Sequence, residues 1–409
     1  MVKPKDATSI FVGVPKETKP NEGRVGLTPN GVKKIISSAK KSGREINILV
    51  EKDTGKLAEF SDSDYEKAGA KIVSASEAWS APFVIKVKEP LKDEYKYLKK
   101  GQVVFTYWHF ASKENRDLTM VAIGSAVTAV AYETTVIDGR TPLLAPMSEI
   151  AGVLAGFWAA ALMKDKNANI NTAWVREALS KYNHSDSIDD LYKQGLTLKG
   201  KTVLIFGGGM VGEYAALSSA KVGATVTVLD ISEPKMEYLR KKFAGLKIEV
   251  KNSKQVDIIA ELKAADIAVG AIHVPGQEAI KVVTRDVYRK IGKKLLTIDV
   301  SIDQGGNFEG SHTTYYDKPV FTDEFGMHFC VANMPSAVPR LASVKLEDAK
   351  INYAIALAGG LESAVKKYPE LANAVNVRDG KVQLASITKA HNIDKKYLTD
   401  SVIAEMNKK

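Results

Sequence analysis

Short apolar runs alternate with polar stretches of helical spacing along most of this chain. Between about residues 10 and 140, INILVEK (46–52), FVIKVK (83–88), QVVFTYWH (102–109) and SAVTAVAYE (125–133) have the length and the β-branched or aromatic content of strands. Polar stretches such as NGVKKIISSAKKSG (30–43) and SDSDYEKAGA (61–70) separate them. A second series begins near 200, with KTVLIF (201–206), TVTVLD (225–230), KIEVKN (247–252), DIAVGAI (266–272) and KLLTIDVSID (294–303) as strands. EYAALSSAKVG (213–223) and VDIIAELKAA (256–265) lie between them with helical spacing. This alternation predicts two α/β domains, each a largely parallel sheet covered by helices.

The expected boundaries are 1–143 for the first domain and 144–339 for the second. Residues 340–409 read as helices rich in Ala, Leu and Lys, with too little sheet to stand alone, and are expected to return to the first domain. The polar segment 164–201 is expected to be an insertion, a partly helical surface element near the hinge, with TAWVREALSKY as its helical part. IAGVLAGFWAAALM (150–163) is shorter than the ~20 residues of a membrane span, so a buried helix is expected there.

Composition narrows the classes. Of 409 residues, 45% are hydrophobic and 26% charged, an ordinary globular mixture. The single cysteine, Cys330, allows no internal disulfide and fits a reducing compartment. The apolar run near the N-terminus is too short for a signal peptide, so a cytoplasmic protein away from membranes is expected. The net charge of +10 is spread along the chain without zinc-finger spacing or an aromatic RNA-binding signature, which argues against a nucleic-acid partner. No ligand cluster suggests a metal.

The segment KTVLIFGGGMVGEYAALSSAKVGATVTVLD carries the strongest local chemistry. Gly207, Gly209 and Gly212 form G-x-G-x-x-G after an apolar strand and at the start of an alanine-rich helix, and Asp230 ends the next strand. Gly207 permits the tight turn, Gly209 a close approach of backbone to pyrophosphate, and Gly212 close packing of helix on strand. Asp230 suits a ribose diol and repels a 2′-phosphate, which favours NAD over NADP, with Lys235 close enough in sequence to soften that preference.

Other polar residues stand out by position. Arg24 lies in a glycine- and proline-punctuated loop, Ser148 in LLAPMSEIAG and Asn333 in HFCVANMPSAVPR. His109 and Asp303 are read as strand-end residues, one per domain. Groups at strand carboxyl ends converge on the ligand crevice of open α/β sheets, so a cleft between the domains is expected. Alternation in FVIKVK puts Lys86 and Lys88 on one face. Each feature alone has a bland reading: lysines solubilise an edge, and a strand-end aspartate caps a turn.

Together these motifs resemble the alanine dehydrogenase family, which includes the NAD-binding subunit of proton-translocating transhydrogenase. VGVPKETKPNEGRVGLTP, KVKEPLKDEY, FTYWHFAS, AYETT, PLLAPMSEIAG, GGGMVG with TVLDIS, ADIAVGAIHVPG, IDVSIDQGGNFEGS and CVANMPSAVPR occur in order over residues 11–340. The resemblance implies two doubly wound domains, a Rossmann NAD-binding domain and a Rossmann-like substrate domain. It implies NAD-dependent interconversion of L-alanine with pyruvate and ammonia by a homo-oligomer, dimer or hexamer. By the same resemblance Arg24 and Lys88 bind the substrate carboxylate, and His109 and Asp303 are catalytic. Met147, Ser148 and Asn333 would surround the nicotinamide and its ribose. Gly207, Gly209, Met210, Val211 and Gly212 would hold the phosphates, and Asp230 and Lys235 the adenosine ribose. Lys86 is expected to be scaffold or surface. Imidazole, with an ordinary pKa of about 6.5, suits general acid–base work on the substrate oxygen.

Segment 164–201 departs from the family by its length, and His273 and Trp108 stand where aliphatic residues are usual. An opine- or saccharopine-type dehydrogenase using another amine stays open. A transhydrogenase-like or basic NAD-binding protein is more remote, because Asp303 in D-Q-G-G and the run C-V-A-N-M-P favour the first reading.

Overall fold

The structure, a computed structural model, describes residues 10–164, 196–273 and 279–407. Most of the expected insertion 164–201, including its helical stretch, lies outside the described residues. The chain divides into two compact units, Met1–Pro146 with Ala342–Lys409, and Met147–Leu341.

The first unit is built on an eight-stranded sheet. Its strands are β1 (Ile10–Val14), β2 (Ile46–Glu51), β3 (Lys71–Val73), β4 (Phe83–Ile85), β5 (Val103–Thr106), β6 (Thr128–Ala131), β14 (Val375–Arg378) and β15 (Lys381–Val382). The order is β15-β14-β6-β5-β4-β1-β2-β3, so its parallel part is wound 3-2-1-4-5-6, the doubly wound order. Strands β14 and β15 close the edge in antiparallel fashion. The C-terminal region therefore returns to the first unit as expected, but it brings strands as well as helices. Apolar side chains beneath β4, β5 and β6 form one core that includes Trp79, Val84, Val104, Trp108, Phe110, Val377 and Val382. Trp108 is a core residue whose indole N–H donates to the Val104 carbonyl (3.1 Å).

Where the chain leaves β4 it departs from the expected strand. The regular strand ends at Ile85 and residues 86–90 run on as irregular backbone, with only the Lys86 N–H still donating to the Phe105 carbonyl and the Val87 carbonyl accepting the Tyr107 N–H (both 3.1 Å). Lys86 and Lys88 are thus not neighbours on a strand face. Pro90 cannot donate to a ladder, and past Lys86 the N–H groups turn to a carboxylate: Glu17 accepts those of Val87 (2.7 Å) and Lys88 (3.2 Å).

The second unit has a seven-stranded sheet. It contains β7 (Thr202–Phe206), β8 (Thr225–Asp230), β9 (Ile248–Asn252), β10 (Ile267–Gly270), β11 (Leu295–Asp299), β12 (Val320–Asp323) and β13 (Gly326–Phe329). The order β12-β13-β11-β10-β7-β8-β9 repeats the doubly wound pattern, with β12 antiparallel at the edge. Leu204, Phe206, Leu262, Tyr288 and Phe308 pack in one core on this sheet. The apolar helix Ala145–Lys164 is 20 residues long, enough to cross a membrane by length and composition, so the expectation that it is too short does not hold. Its burial marks it as a core helix, since Phe157, Trp158 and Leu162 are at most 4% exposed.

Strand β11 ends at Asp299, four residues earlier than expected. Asp303 is therefore not a strand-end residue; it lies exposed on the one-turn 3-10 helix Ile302–Gln304. The buried strand-end aspartate is Asp299, whose carboxylate accepts the N–H groups of Asn307 (3.0 and 2.9 Å) and Phe308 (3.3 Å).

Candidate active site

In each unit the ligand crevice of a doubly wound sheet lies at the switch point, beyond the carboxyl ends of the first and fourth strands of the winding order. In the first unit those are β1 and β4, with β5 next to β4. The loop after β1 carries Glu17, Glu22 and Arg24, the segment after β4 carries Lys86, Lys88 and Glu89, and the segment after β5 carries Tyr107 and His109. Parallel strands deliver all three segments to the same, carboxyl end of the sheet.

Arg24 is 2% exposed. Glu22 orients it with both carboxylate oxygens, accepting from Nε (2.7 Å) and Nη2 (2.5 Å). Burial alone would push the Glu22 carboxyl up, but Arg24, and more weakly Lys88, outweigh it and bring it down to about 2. Such two-pronged pairing fixes the plane of a guanidinium.

Lys88 differs from Arg24. Among the described residues its ammonium has no hydrogen bond and no ion pair, although its backbone N–H is held by Glu17. Burial and then the nearby Arg24 charge press its pKa below that of an ordinary lysine. A half-buried cation next to another cation, with Glu22 and Glu89 countering only part of that cost, can hold an anion. Lys86, two residues earlier, is 0% exposed. It donates to Glu94 (2.9 Å) and the Lys16 carbonyl (3.3 Å) and lies 3.4 Å from Glu17. It is therefore scaffold, not surface.

His109 has a left-handed backbone, φ 50°. Histidine tolerates that region better than most residues, and here Glu133 accepts the His109 N–H (2.6 Å) while Ser112 N–H and the Asn115 amide donate to its carbonyl. Its ring Nδ1 lies 3.2 Å from Glu89 Oε2, with poor hydrogen-bond alignment and both atoms buried. The ring remains 38% exposed, so its exposure lies on the other ring atoms. Burial alone would raise the Glu89 carboxyl; His109, Lys88 and Lys19 hold it well below the usual carboxylate range. The unit thus assembles an oriented guanidinium, an unmatched ammonium and an imidazole backed by a carboxylate.

In the second unit the glycine turn follows β7 and opens helix Met210–Lys221. Gly207 has φ 98°, in the left-handed region that favours glycine. A Cβ on Gly212 would collide with the Gly207 carbonyl, whereas one on Gly209 would meet nothing within 4 Å. The helix start has no side-chain cap, leaving N–H groups near Met210 and Val211 to face an anion. The Asp230 carboxylate accepts the N–H groups of Gly208 (2.6 Å), Ile231 (2.7 Å) and Ser232 (2.8 Å). An ionised carboxylate has about four acceptor sites, so one stays open to a hydroxyl. Lys235 donates to Glu213 (2.9 Å), a carboxylate it shares with Lys242, so its ammonium is tied to a partner within the unit although the pair of lysines keeps one net positive charge. These groups fit a dinucleotide.

The other expected residues of this unit lie on three separate segments. Met147 and Ser148 are on the first turn of Ala145–Lys164, Asp303 is on its 3-10 turn, and Asn333 (φ 56°) caps Met334–Ala337. Sequence reasoning missed Glu22, Glu89 and Glu133. The first two stand beside Arg24 and Lys88 in the motifs quoted above, which was their only signal.

Residues 13–151 match the family description "Alanine dehydrogenase/PNT, N-terminal domain" and residues 194–385 match "Alanine dehydrogenase/PNT, C-terminal domain". The chain is 33% identical over 394 residues to "Alanine dehydrogenase 1" of Staphylococcus aureus (strain MSSA476), spanning 96% of this chain and 100% of that protein. It is 36% identical over 395 residues to "Alanine dehydrogenase" of Staphylococcus epidermidis, spanning 96% and 99%. A solved L-alanine dehydrogenase superposes with a TM-score of 0.77 at 31% identity, covering 94% of this chain and 99% of that one. A transhydrogenase from Sinorhizobium meliloti, with a TM-score of 0.68 at 23% identity and coverage of 91% and 98%, shares the fold.

Proposed function

Because the chain belongs to the alanine dehydrogenase/PNT family, we propose that it interconverts L-alanine, water and NAD with pyruvate, ammonia and NADH. The observation that carries this reading is the unmatched Lys88 ammonium beside the Glu22-oriented Arg24, a grip for a small carboxylate. The cofactor, when bound, exchanges hydride with the substrate Cα. Arg24 and Lys88 hold the carboxylate and thereby fix the orientation of the 2-oxo group. His109 gives a proton to the carbonyl oxygen as ammonia adds, and takes one from water in the reverse direction. Glu89 stabilises the protonated ring from the Nδ1 side (3.2 Å). Asp303 orients ammonia or water and stabilises the cationic imine, while Met147, Ser148 and Asn333 bind around the nicotinamide and its ribose. Gly207, Gly209, Met210, Val211 and Gly212 hold the pyrophosphate through backbone, and Asp230 holds the adenosine ribose.

Asp230 stands where a ribose diol would bind and would repel a 2′-phosphate, and the Lys235 ammonium is drawn to Glu213, so NAD is preferred over NADP. The enzyme works as a homo-oligomer in the cytoplasm. Initial rates of NADH oxidation with pyruvate and a panel of amines test the assignment. Ammonium should be the effective amine. Faster turnover with lysine or another amino acid than with ammonium would point to an opine-type enzyme instead.

A further inference from the structure

One buried polar cluster in the first unit has no part in the chemistry above. Helix Pro339–Ala358 carries Ser343, Glu347 and Lys350, spaced four and three residues apart and so on one face. They are 1%, 2% and 1% exposed. Each meets backbone of the segment that follows Arg24. Ser343 Oγ accepts the Val25 N–H (3.0 Å), and the Glu347 carboxylate accepts the Thr28 N–H (2.8 Å). Lys350 donates to the Gly26 carbonyl (2.6 Å) and to the Tyr132 hydroxyl (2.7 Å). That hydroxyl in turn donates to the Lys86 carbonyl (2.7 Å). A single side chain is therefore tied to backbone two residues from Arg24 and, through one tyrosine, two residues from Lys88.

A lysine is an expensive choice for a site so dry, and packing alone would be served by Leu or Met. What an apolar residue cannot do is join two carbonyl-bearing segments that lack a ladder between them. We propose that Lys350 is a positioning residue for the carboxylate grip, holding the Arg24 loop and the Lys88 segment in register through Gly26 and Tyr132. The inference rests on the assignment of Arg24 and Lys88 to the substrate carboxylate. Burial, only partly countered by Glu347 and Glu17, brings the Lys350 amino group down to about 7, and either protonation state keeps enough N–H groups for both bonds.

Two variants test this, Lys350→Met and Tyr132→Phe, the second keeping the ring and removing only the hydroxyl. Hydrogen exchange by mass spectrometry of the peptide covering Val25–Thr28 reads positioning without any substrate. Steady-state rates read its consequence, and NADH fluorescence titration reads the other half of the reaction. Exchange should accelerate in both variants. The pyruvate KM should rise by about ten- to a hundredfold, as for a small misplacement of binding groups. The kcat should stay within about threefold, the pattern of a lost binding contact, and NADH affinity should be unchanged. Unchanged exchange in the variants overturns the positioning role. Faster exchange with an unchanged pyruvate KM overturns its link to the carboxylate grip. If Lys350→Met does not fold, Tyr132→Phe carries both readouts. A wild-type enzyme inactive with pyruvate and ammonium counts against the proposed function, and exchange alone then decides whether Lys350 positions the loop.

Discussion

Lys86 and Lys88 stand two residues apart and should respond oppositely to the same change, replacement by Met. Lys86 is enclosed by Glu94 at 2.9 Å and Glu17 at 3.4 Å, and its Nζ lies 5.5 Å from the Trp79 ring centroid. Glu17 and Glu94 are themselves only 8% and 4% exposed. Removing the cation strands two buried carboxylates, and breaking a buried pair in this way costs about 3–5 kcal/mol. Among the described residues Lys88 has no ion pair to break, and both burial and the Arg24 charge weigh against its ammonium. Lys88→Met should therefore leave stability unchanged or slightly raised. Its cost should fall on the substrate: a lost charged hydrogen bond to a carboxylate is worth about 1.5–3 kcal/mol. At about 1.4 kcal/mol per decade, kcat/KM for pyruvate should drop roughly ten- to a hundredfold while NADH binding holds. Urea unfolding followed by fluorescence of the four tryptophans and initial rates of NADH oxidation supply the two axes. Equal losses of stability in both variants, or an intact kcat/KM in a folded Lys88→Met, would refute the division of labour between them.

Three further outcomes are expected. The Glu22 carboxyl, ordinarily near 4.5, titrates at about 2 in the folded protein, a depressed pKa; its contribution is present above 4.5 and lost as pH falls towards 2. That gap, at about 1.4 kcal/mol per pH unit, is about 3 kcal/mol, so the acid-side fall in urea stability should be shallower in Glu22→Gln than in the wild type. Gly209→Ala should fold normally because the added methyl meets nothing, yet lose NADH affinity, whereas Gly212→Ala should lower the melting temperature because it meets the Gly207 carbonyl; equal melting temperatures would contradict the role of the turn. Asp230→Ala should weaken NADH binding and narrow its margin over NADPH in fluorescence titrations, and a wild type that uses both cofactors equally would count against the ribose assignment.

Much of the architecture was legible because the parallel strands β5, β7, β10 and β11 are buried on both faces and read as apolar runs. The glycine turn was legible for a different reason: few backbones other than a phosphate-facing turn need glycine at three fixed spacings. Strand ends were less readable. Sequence does not show that the regular strand β4 ends at Ile85, because Val87 continues the alternation while Glu17 takes its N–H. The choice between Asp299 and Asp303 as the end of β11 failed for the same reason, since Val300 and Ile302 carry an alternating pattern past Asp299. The burial of Lys86 and Lys350 was not legible because Glu17 and Gly26 reach them only through the fold, Gly26 from 324 residues away, and Glu94, eight residues after Lys86, gives no sign by spacing alone that the pair is buried. The short strands β14 and β15 are too brief to outweigh the helical composition around them.

The central claim is that a carboxylate grip on one unit and a dinucleotide turn on the other serve the reductive amination of pyruvate. The most direct test is to supply wild-type protein with NADH, pyruvate and nitrogen-15-labelled ammonium and to identify the product by chiral chromatography with mass spectrometry. The account predicts labelled L-alanine, formed in step with the NADH consumed and absent when ammonium is withheld. NADH consumption that proceeds without ammonium, or a product in which another amine has been joined to pyruvate, would contradict it.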